Sequence, residues 1–502
     1  MQYKGINIIP KVSVNSREEL SLVYTPGVGA SCLKIKENTE SSYIYTNRIN
    51  SVAVIADNYQ KALQRAIFLK DVLLIDAYPL CLEEMSKENL EFVVNNIEPN
   101  FQAIDLSCVD IEEKNTLNFD VKIPVLTNPV NDLKTFFGCV ARNAFMPDVN
   151  KFQGTIQEKS LQLREFFGGV LETQLSTEET RKPIAIISDG SAVLGFGNIG
   201  AEAGLPVMEG KAVLFKSLGG VDAMPLCIKT QNPQKIIKLV LLLENSFSGV
   251  NLEDISAPRC FEIEEKLKEK SKIVIFHDDQ HGTAIVVLSA ILNAIHLAKK
   301  DIEKVKVVFS GAGAAAQAVC KLLLKAGFKN IIMNDINGAV YAGREQNDAS
   351  LENISKYTNL EKIKGTLKDT IKNADVFIGL SAPNVLTEDM IKTMSDKPII
   401  LALANPTPEI NPQLAKHAGA FIVATGRSDF ENQVNNSLAF PGLFKGVLEE
   451  NLSQITDNMK LECAFSIASL VSEEELSVNK IIPEPLDFRV PQIIAENIIK
   501  MN

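Results

Sequence analysis

The chain has 502 residues, too many for one ordinary domain, and its 46% hydrophobic and 23% charged residues are the proportions of a globular protein. A net charge of −11 and a pI near 5.2 argue against a general binder of nucleic acid or anionic membrane. No apolar run reads as long enough to span a bilayer, MQYKGINIIPKVSV lacks the marks of a signal peptide, and the eight cysteines contain no CxxC pair. A reduced, cytoplasmic protein is expected, without a disulfide framework or zinc site.

In chain order, the first local signal is YTPGVG at 24–29, where proline and paired glycines set a turn beside Tyr24. Its phenol could pack or could donate a proton. A strand-like VAVIAD follows at 52–57. Then IDAYPLCL at 75–82 returns as VDAMPLCI at 221–228. A constant shift of 146 lays 65–110 over 211–256, with Glu98, Phe101 and Leu106 on Glu244, Phe247 and Leu252. Further on, IPVLTN at 123–128 lies over IVIFHD at 273–278, and ARNAF at 141–145 over ILNAI; upstream, VAVIAD resembles IAIISD at 184–189. Both stretches alternate short β-branched strands with helices, the pattern of an α/β layer, and ordered matches over this length indicate an ancient duplication.

The two copies differ chemically. The second carries NLEDIS and FHDDQHGTA; Ser107 and Cys108 of the first lie over Glu253 and Asp254, Pro129 over Asp279, and Arg65 over Lys211. Each acid segment of the second copy follows an apolar strand-like run. Strand ends at the carboxyl edge of an α/β layer gather reactive groups, and three carboxylates suit a hard cation, Mg²⁺ or Mn²⁺. A solvated acidic loop is the other reading. His277 and His281 stand four apart as in a zinc motif, but an Asp replaces its Glu and no third ligand motif follows.

Two glycine motifs compete for a dinucleotide. GFGNIG at 195–200 is followed by AEAGLPVMEG, whose breakers stand where a helix should run. VKVVFSGAGAAAQAVCKLLLKAGFKNIIMND at 305–335 instead reads as a complete βαβ unit. Gly311 and Gly313 would permit the turn and the approach of a pyrophosphate. Ala316 would allow helix–sheet packing, and Asp335 sits where a carboxylate meets the adenosine ribose. Strands at 374–383, 398–406 and 420–426 continue a doubly wound sheet. Asn405 follows the second of them, and GRSDFENQVNN at 426–436 is rich in amides.

Together LSLVYTPGVGASCL, AVLGFGNIGAEAGLPVMEGKAVLFK, GVNLEDISAPRCFEIE, FHDDQHGTA, SGAGAAA, LALANPTPEI and TGRSDFENQVNN resemble the malic enzymes of the bacterial, short-subunit type, over 4–57 and 183–502. The resemblance implies oxidative decarboxylation of L-malate to pyruvate and CO₂ with NAD or NADP and Mg²⁺ or Mn²⁺. Glu253, Asp254 and Asp279 would then bind the metal, Lys211 would be the base, Tyr24 the acid, and Asp278 would support the lysine. Gly311, Ala312, Gly313, Ala314, Ala315 and Ala316 would form the cofactor turn, with Asp335, Asn405 and Asn436 as further contacts. Asp335 without an adjacent Arg leans towards NAD. The resemblance also assigns GFGNIG to the substrate domain.

The expected fold is α/β: a substrate domain plus a doubly wound Rossmann-type domain, with an inserted degenerate repeat of the substrate domain. Its parts are 1–57, the N-terminal part of the substrate domain; 58–182, the insertion; 183–300, the substrate and metal domain; 301–446, the NAD(P)-binding domain; and 447–502, C-terminal helices. The expected assembly is a homodimer, or an internal pseudo-dimer in which Tyr24 reaches the Lys211 site across a pseudo-twofold. A malolactic reaction with retained NAD and a non-catalytic scaffold are the alternatives.

Overall fold

The computed structural model describes residues 3–111, 116–127, 154–193 and 195–501. The Pro129 and 141–145 correspondences lie outside these residues. The chain forms two compact units, Met1–Phe276 with Asn451–Gln454, and His277–Glu450 with Ile455–Asn502.

In the first unit, β1 (Gly5–Pro10), α1 (Arg17–Val23) and α2 (Gly29–Glu37) precede β2 (Ser51–Ala56), α3 (Tyr59–Leu73), β3 (Asp76–Cys81), α4 (Lys87–Ile97), β4 (Ala103–Asp105) and β5 (Val125–Leu126). Next come α5 (Ile156–Phe167), β6 (Leu171–Ser176), β7 (Ile184–Ser188), α6 (Gly200–Gly219), β8 (Ala223–Cys227), α7 (Pro233–Leu243), β9 (Gly249–Leu252), α8 (Arg259–Lys270) and β10 (Val274–His277). Two four-stranded sheets result, ordered β3-β2-β4-β5 and β8-β7-β9-β10, so both run second, first, third, fourth along the chain. The central strands β2 and β7 are buried throughout, which is why they read as continuous β-branched runs rather than alternating ones.

The registers agree as well as the orders. Val52 faces Ala77 and Ala103, while Ile184 faces Ala223 and Gly249. Helices α3 and α6 both end in a left-handed residue, Leu74 and Gly220. Just beyond, Lys70 pairs with Asp76 at 2.8 Å and Lys216 with Asp222 at 3.0 Å.

The two sheets also meet through reciprocal contacts. The Cys81 N–H donates to Ser246 Oγ, and the Cys227 N–H to Asn100 Oδ1, both at 2.7 Å. The Glu83 N–H donates to the Leu242 carbonyl at 3.0 Å and that of Lys229 to the Asn96 carbonyl at 3.1 Å. Pairs that exchange roles in this way are the mark of a twofold, isologous contact. Strands β1 and β6 run antiparallel with Ile8 opposite Thr173. Those two residues donate their N–H groups to Asp222 and Asp76 respectively.

One local expectation fails here. The GLPVMEG stretch does not break its helix: α6 runs unbroken over Gly200–Gly219 with Pro206 inside it. Burial outweighs propensity, because most of the helix is buried and Gly210 is a site of close approach. A Cβ at Gly210 would stand 2.3 Å from the Val23 carbonyl oxygen.

The second unit opens with α9 (Asp278–Ala298) and continues through β11 (Lys306–Ser310), α10 (Ala314–Lys325), β12 (Asn330–Asp335), β13 (Gly338–Ala339), β14 (Val376–Gly379), β15 (Ile399–Ala402) and β16 (Ile422–Thr425). Its six-stranded sheet has the order β13-β12-β11-β14-β15-β16. Only the short edge strand β13 is antiparallel among the pairings of these strands. The helices α11 (Phe440–Glu449), α12 (Asp457–Ser469) and α13 (Arg489–Lys500) close the chain, with α12 packed on α9 and α13 on α11.

The sequence reading finds no apolar run of membrane length, yet α9 is long and apolar enough by that criterion. Its apolar residues face the core, packed by α10 and α12, and most of the helix is buried. A central helix hydrophobic on nearly all sides is expected to look like this.

Candidate active site

The carboxyl ends of the second sheet gather the predicted acids. Glu253 and Asp254 follow β9 directly, and Asp279 lies two residues beyond β10, the neighbouring strand. One carboxylate oxygen from each of the three lies within 4.8 Å of the others, and Glu253 and Asp254 are buried. Backbone pairing fixes the first two: the Glu253 N–H donates to the Ile187 carbonyl, and the Asp254 carbonyl accepts from Ala192 N–H. Asp254 adopts φ +52°, a left-handed conformation that costs a non-glycine residue about 1 kcal/mol and is commonest at functional sites.

Lys211 stands in the middle of α6, fully buried, with Nζ 2.5 Å from Glu253 Oε1. The other Glu253 oxygen accepts from Asn251 Nδ2 at 3.1 Å. Three carboxylates and one lysine in so small a volume leave surplus negative charge. Hard oxygen donors in that arrangement fit a divalent cation such as Mg²⁺ or Mn²⁺. Among the described residues the group placed to hold a metal is these three carboxylates, without the histidines. His277 faces Asp279 Oδ2 at 3.1 Å and Gln280, while His281 Nδ1 faces Lys460 Nζ at 3.1 Å.

Tyr24 caps the C-terminus of α1. A Cβ at Gly210 would stand 3.1 Å from its Cδ2, so the tyrosine ring lies on the turn of α6 that carries Lys211. These residues are far apart in sequence, and the geometry brings them together.

Asp278, the first residue of α9, accepts from Asn436 Nδ2 at 3.1 Å through Oδ2. Asn436 Oδ1 in turn accepts from the Thr283 hydroxyl at 3.3 Å. Gly282 is required here, since a Cβ would stand 1.9 Å from Asp278 Oδ1. The amide-rich 426–436 stretch therefore divides by role. Asn436 faces the start of α9, whereas buried Asn432 holds backbone, donating to the Val423 and Val478 carbonyls and accepting from Ile481 N–H.

In the second unit, Gly311 has φ +107° and a Cβ there would stand 2.4 Å from the Leu380 carbonyl oxygen. Gly313 caps the N-terminus of α10 and faces open space, the cradle a pyrophosphate needs. Ala312 precedes it, Ala314 and Ala315 open the helix, and Ala316 is buried against the sheet. Asn405 follows β15 at the same carboxyl edge.

Among the buried charges that escaped the sequence reading are Glu409 and Arg344. Glu409 accepts from the Ser381 and Ala404 N–H groups, each at 3.0 Å, and so ties the loops after β14 and β15 together. Burial pushes its carboxyl above the usual range. Arg344 grips Asp335 bidentately, with Nη1 2.8 Å from Oδ1 and Nη2 on Oδ2. Burial raises the Asp335 carboxyl, but the Arg344 and Asn337 hydrogen bonds outweigh it and hold the group below its ordinary value. The sequence shows no arginine adjacent to Asp335; the fold supplies one nine residues away, so that criterion no longer favours NAD. Their only sequence signal is a charged residue among apolar or turn residues.

Comparison with known proteins gives the family. The family described as "Malic enzyme, N-terminal domain" matches residues 4–73 and 149–268, and "Malic enzyme, NAD binding domain" matches 280–501. The first match skips 74–148, a shorter gap than the expected 58–182 insertion. The chain is 53% identical to the bifunctional malic/malolactic enzyme of Bacillus subtilis, over 63% of this chain and 78% of that protein. It is 47% identical to the NADP-dependent malic enzyme of Escherichia coli, over 63% of this chain and 44% of that one. The crystal structure of the NAD-dependent malic enzyme of Thermotoga maritima aligns with a TM-score of 0.61 at 49% identity, covering 63% of this chain and 84% of that chain.

Proposed function

The chain belongs to the malic enzyme family, and from that membership we propose that it converts L-malate to pyruvate and CO₂ while reducing NAD or NADP. The observation that carries the reading is buried Lys211 on Glu253, with Asp254 and Asp279 alongside. Glu253, Asp254 and Asp279 are the residues that would hold the cation. When bound, a divalent metal would fix the C2 oxygen and a carboxylate of malate and draw negative charge onto itself.

Lys211 is placed to take the C2 hydroxyl proton; the nicotinamide, when bound, would accept the hydride from C2, leaving a ketone. The C3–C4 bond then breaks, CO₂ departs with its carbon, and the electron pair remains as enolpyruvate. Protonated Lys211 returns its proton to the C2 oxygen as CO₂ leaves, giving the enol; Tyr24 then protonates C3 while Lys211 takes the enol proton back, and pyruvate results. A lysine serves as base only when neutral, a state favoured by burial and by a neighbouring cation. Asp278 and Asn436 orient groups at the start of α9, Gly311 to Ala316 receive the pyrophosphate, Asp335 the adenosine ribose, and Asn405 the nicotinamide half. Free, mostly buried cysteines among the described residues support a cytoplasmic location.

The stretch around β2 to β5 is, in the same reading, a degenerate copy of β7 to β10 that stands where a partner subunit would. Equal strand order, equal register and reciprocal contacts support it. The N-terminal segment with Tyr24 would then complete the Lys211 site within one chain. Initial rates with malate, Mn²⁺ and each nucleotide test both statements. Pyruvate and reduced nucleotide should appear in equal amounts, with specific activity independent of enzyme concentration down to nanomolar levels. Lactate without reduced nucleotide would sink the first, and activity lost on dilution the second.

A further inference from the structure

Helix α5 comes from neither sheet, and nothing in its sequence suggests chemistry. In its last turn Arg164 is among the largest fully buried side chains of the described residues. Its guanidinium spans two pieces of the active site. Nη1 meets Glu209 Oε2 at 2.9 Å and the Tyr45 carbonyl at 3.3 Å. Nη2 donates to the Pro206 carbonyl at 2.9 Å and to the Val23 carbonyl at 3.1 Å. Glu209 is completed by the Asn47 N–H at 2.6 Å.

The positions of those partners matter. Val23 immediately precedes Tyr24. Glu209 and Pro206 lie on α6, and Lys211 is two residues beyond Glu209. The Val23 carbonyl oxygen is also the atom that a Cβ at Gly210 would meet. One planar fork therefore holds the Val23–Tyr24 peptide against the turn that carries Lys211. Arginine suits this task because its donors are rigid and diverge in a plane, whereas lysine offers a point charge on a flexible stem. Nearby, the Ser160 hydroxyl of α5 donates to the Leu22 carbonyl at 2.6 Å, so the helix grips α1 at a second point.

A stability device alone would be a costly choice at this place. A buried ion pair roughly breaks even against apolar packing of similar volume. Burial also works against the charge on both partners, lowering the arginine and raising Glu209. What the fork adds is geometry: four acceptors from three separate stretches of chain, at Val23, at Tyr45 and on α6, held at one point.

We propose that Arg164 is a positioning residue for the reaction, setting Tyr24 at the height and angle from which it protonates C3, through the Val23 carbonyl and α6. It touches no substrate, and the inference rests on the proposed role of Tyr24 as acid.

The test uses the full-length enzyme with Mn²⁺ and compares Tyr24→Phe, Arg164→Lys and the pair Arg164→Met with Glu209→Gln. The pair removes both charges together, so it keeps the question answerable should lysine disturb folding; glutamine still accepts from Asn47. Three readouts are taken: kcat and KM for malate, exchange of the pyruvate methyl protons with D₂O, and Mn²⁺ affinity. Both Arg164 variants should lose about 10- to 100-fold in kcat, the range a small misplacement costs. Methyl exchange should fall by a similar factor, while KM and Mn²⁺ affinity stay within about threefold because Arg164 holds no substrate or ligand group. Wild-type exchange in the Arg164 variants, with exchange lost in Tyr24→Phe, overturns the inference and leaves the acid role standing. Equal losses in exchange, KM and Mn²⁺ affinity overturn it too, as general loosening. Undiminished exchange in Tyr24→Phe overturns the acid role itself, and the inference with it.

Discussion

The two sheets of the first unit share order and register but have opposite fates at their carboxyl ends. In the second, Lys211 meets Glu253, with Asp254 and Asp279 beside them. In the first, Arg65 occupies the position of Lys211, and its Nε lies 2.7 Å from Asp105 Oδ2, the residue over Asn251. A guanidinium offers donors and no acceptor, and among the described residues Asp105 is its carboxylate partner. Ser107 and Cys108 stand where the second sheet has Glu253 and Asp254. The two sheets share a frame, and the first carries the Arg65–Asp105 pair where the second carries Lys211 and its acids. The comparison teaches that strand order and register are held by backbone pairing and burial, and that chemistry needs a handful of side chains the frame does not require.

The largest effect should come from the second sheet. Asp279→Ala or Lys211→Met should reduce kcat by at least about a thousandfold, within the range for losing a metal ligand or general base. Asp279→Ala should also abolish Mn²⁺ binding measured by calorimetry, whereas Lys211→Met should not. Turnover within tenfold of wild type in either variant would remove the site from this sheet.

A moderate effect belongs to the first sheet. Arg65→Met should leave kcat within about twofold yet lower unfolding free energy by about 1–3 kcal/mol, because Asp105 would be left buried without its partner. Urea unfolding monitored by circular dichroism reads the loss. A drop in kcat with unchanged stability would mean that the first sheet retains chemistry of its own, breaking the contrast.

The smallest effect is conformational. Leu74 and Gly220 end equivalent helices in the left-handed region, at φ 58° and φ 70°, where a side chain is strained. Leu74 is 51% exposed, so replacing it forfeits little burial. Leu74→Gly should stabilise by about 0.5–1 kcal/mol, and Gly220→Leu should destabilise by a similar amount. Unchanged thermal midpoints in both would show that the two caps are not comparable.

Much of this was legible along the chain. Short β-branched runs ending in acids marked the strands whose carboxyl ends bring Glu253, Asp254 and Asp279 together, and GAGAAA marked the turn between β11 and α10. Local rules failed where burial dominates: Pro206 sits inside an unbroken helix, and the apolarity of α9 belongs to a core rather than a membrane.

The sequence by itself determined which residue types stand at the ends of which strands, because hydrophobic periodicity and turn chemistry act over a few neighbours. It also fixed the order of the motifs. Only the tertiary structure decided which charges meet: Arg344 with Asp335, Arg65 with Asp105, and Arg164 with Glu209 and the Val23 carbonyl. Those partners lie up to 141 residues apart. Their pairing follows from how helices and sheets pack, and spacing along the chain carries no trace of it.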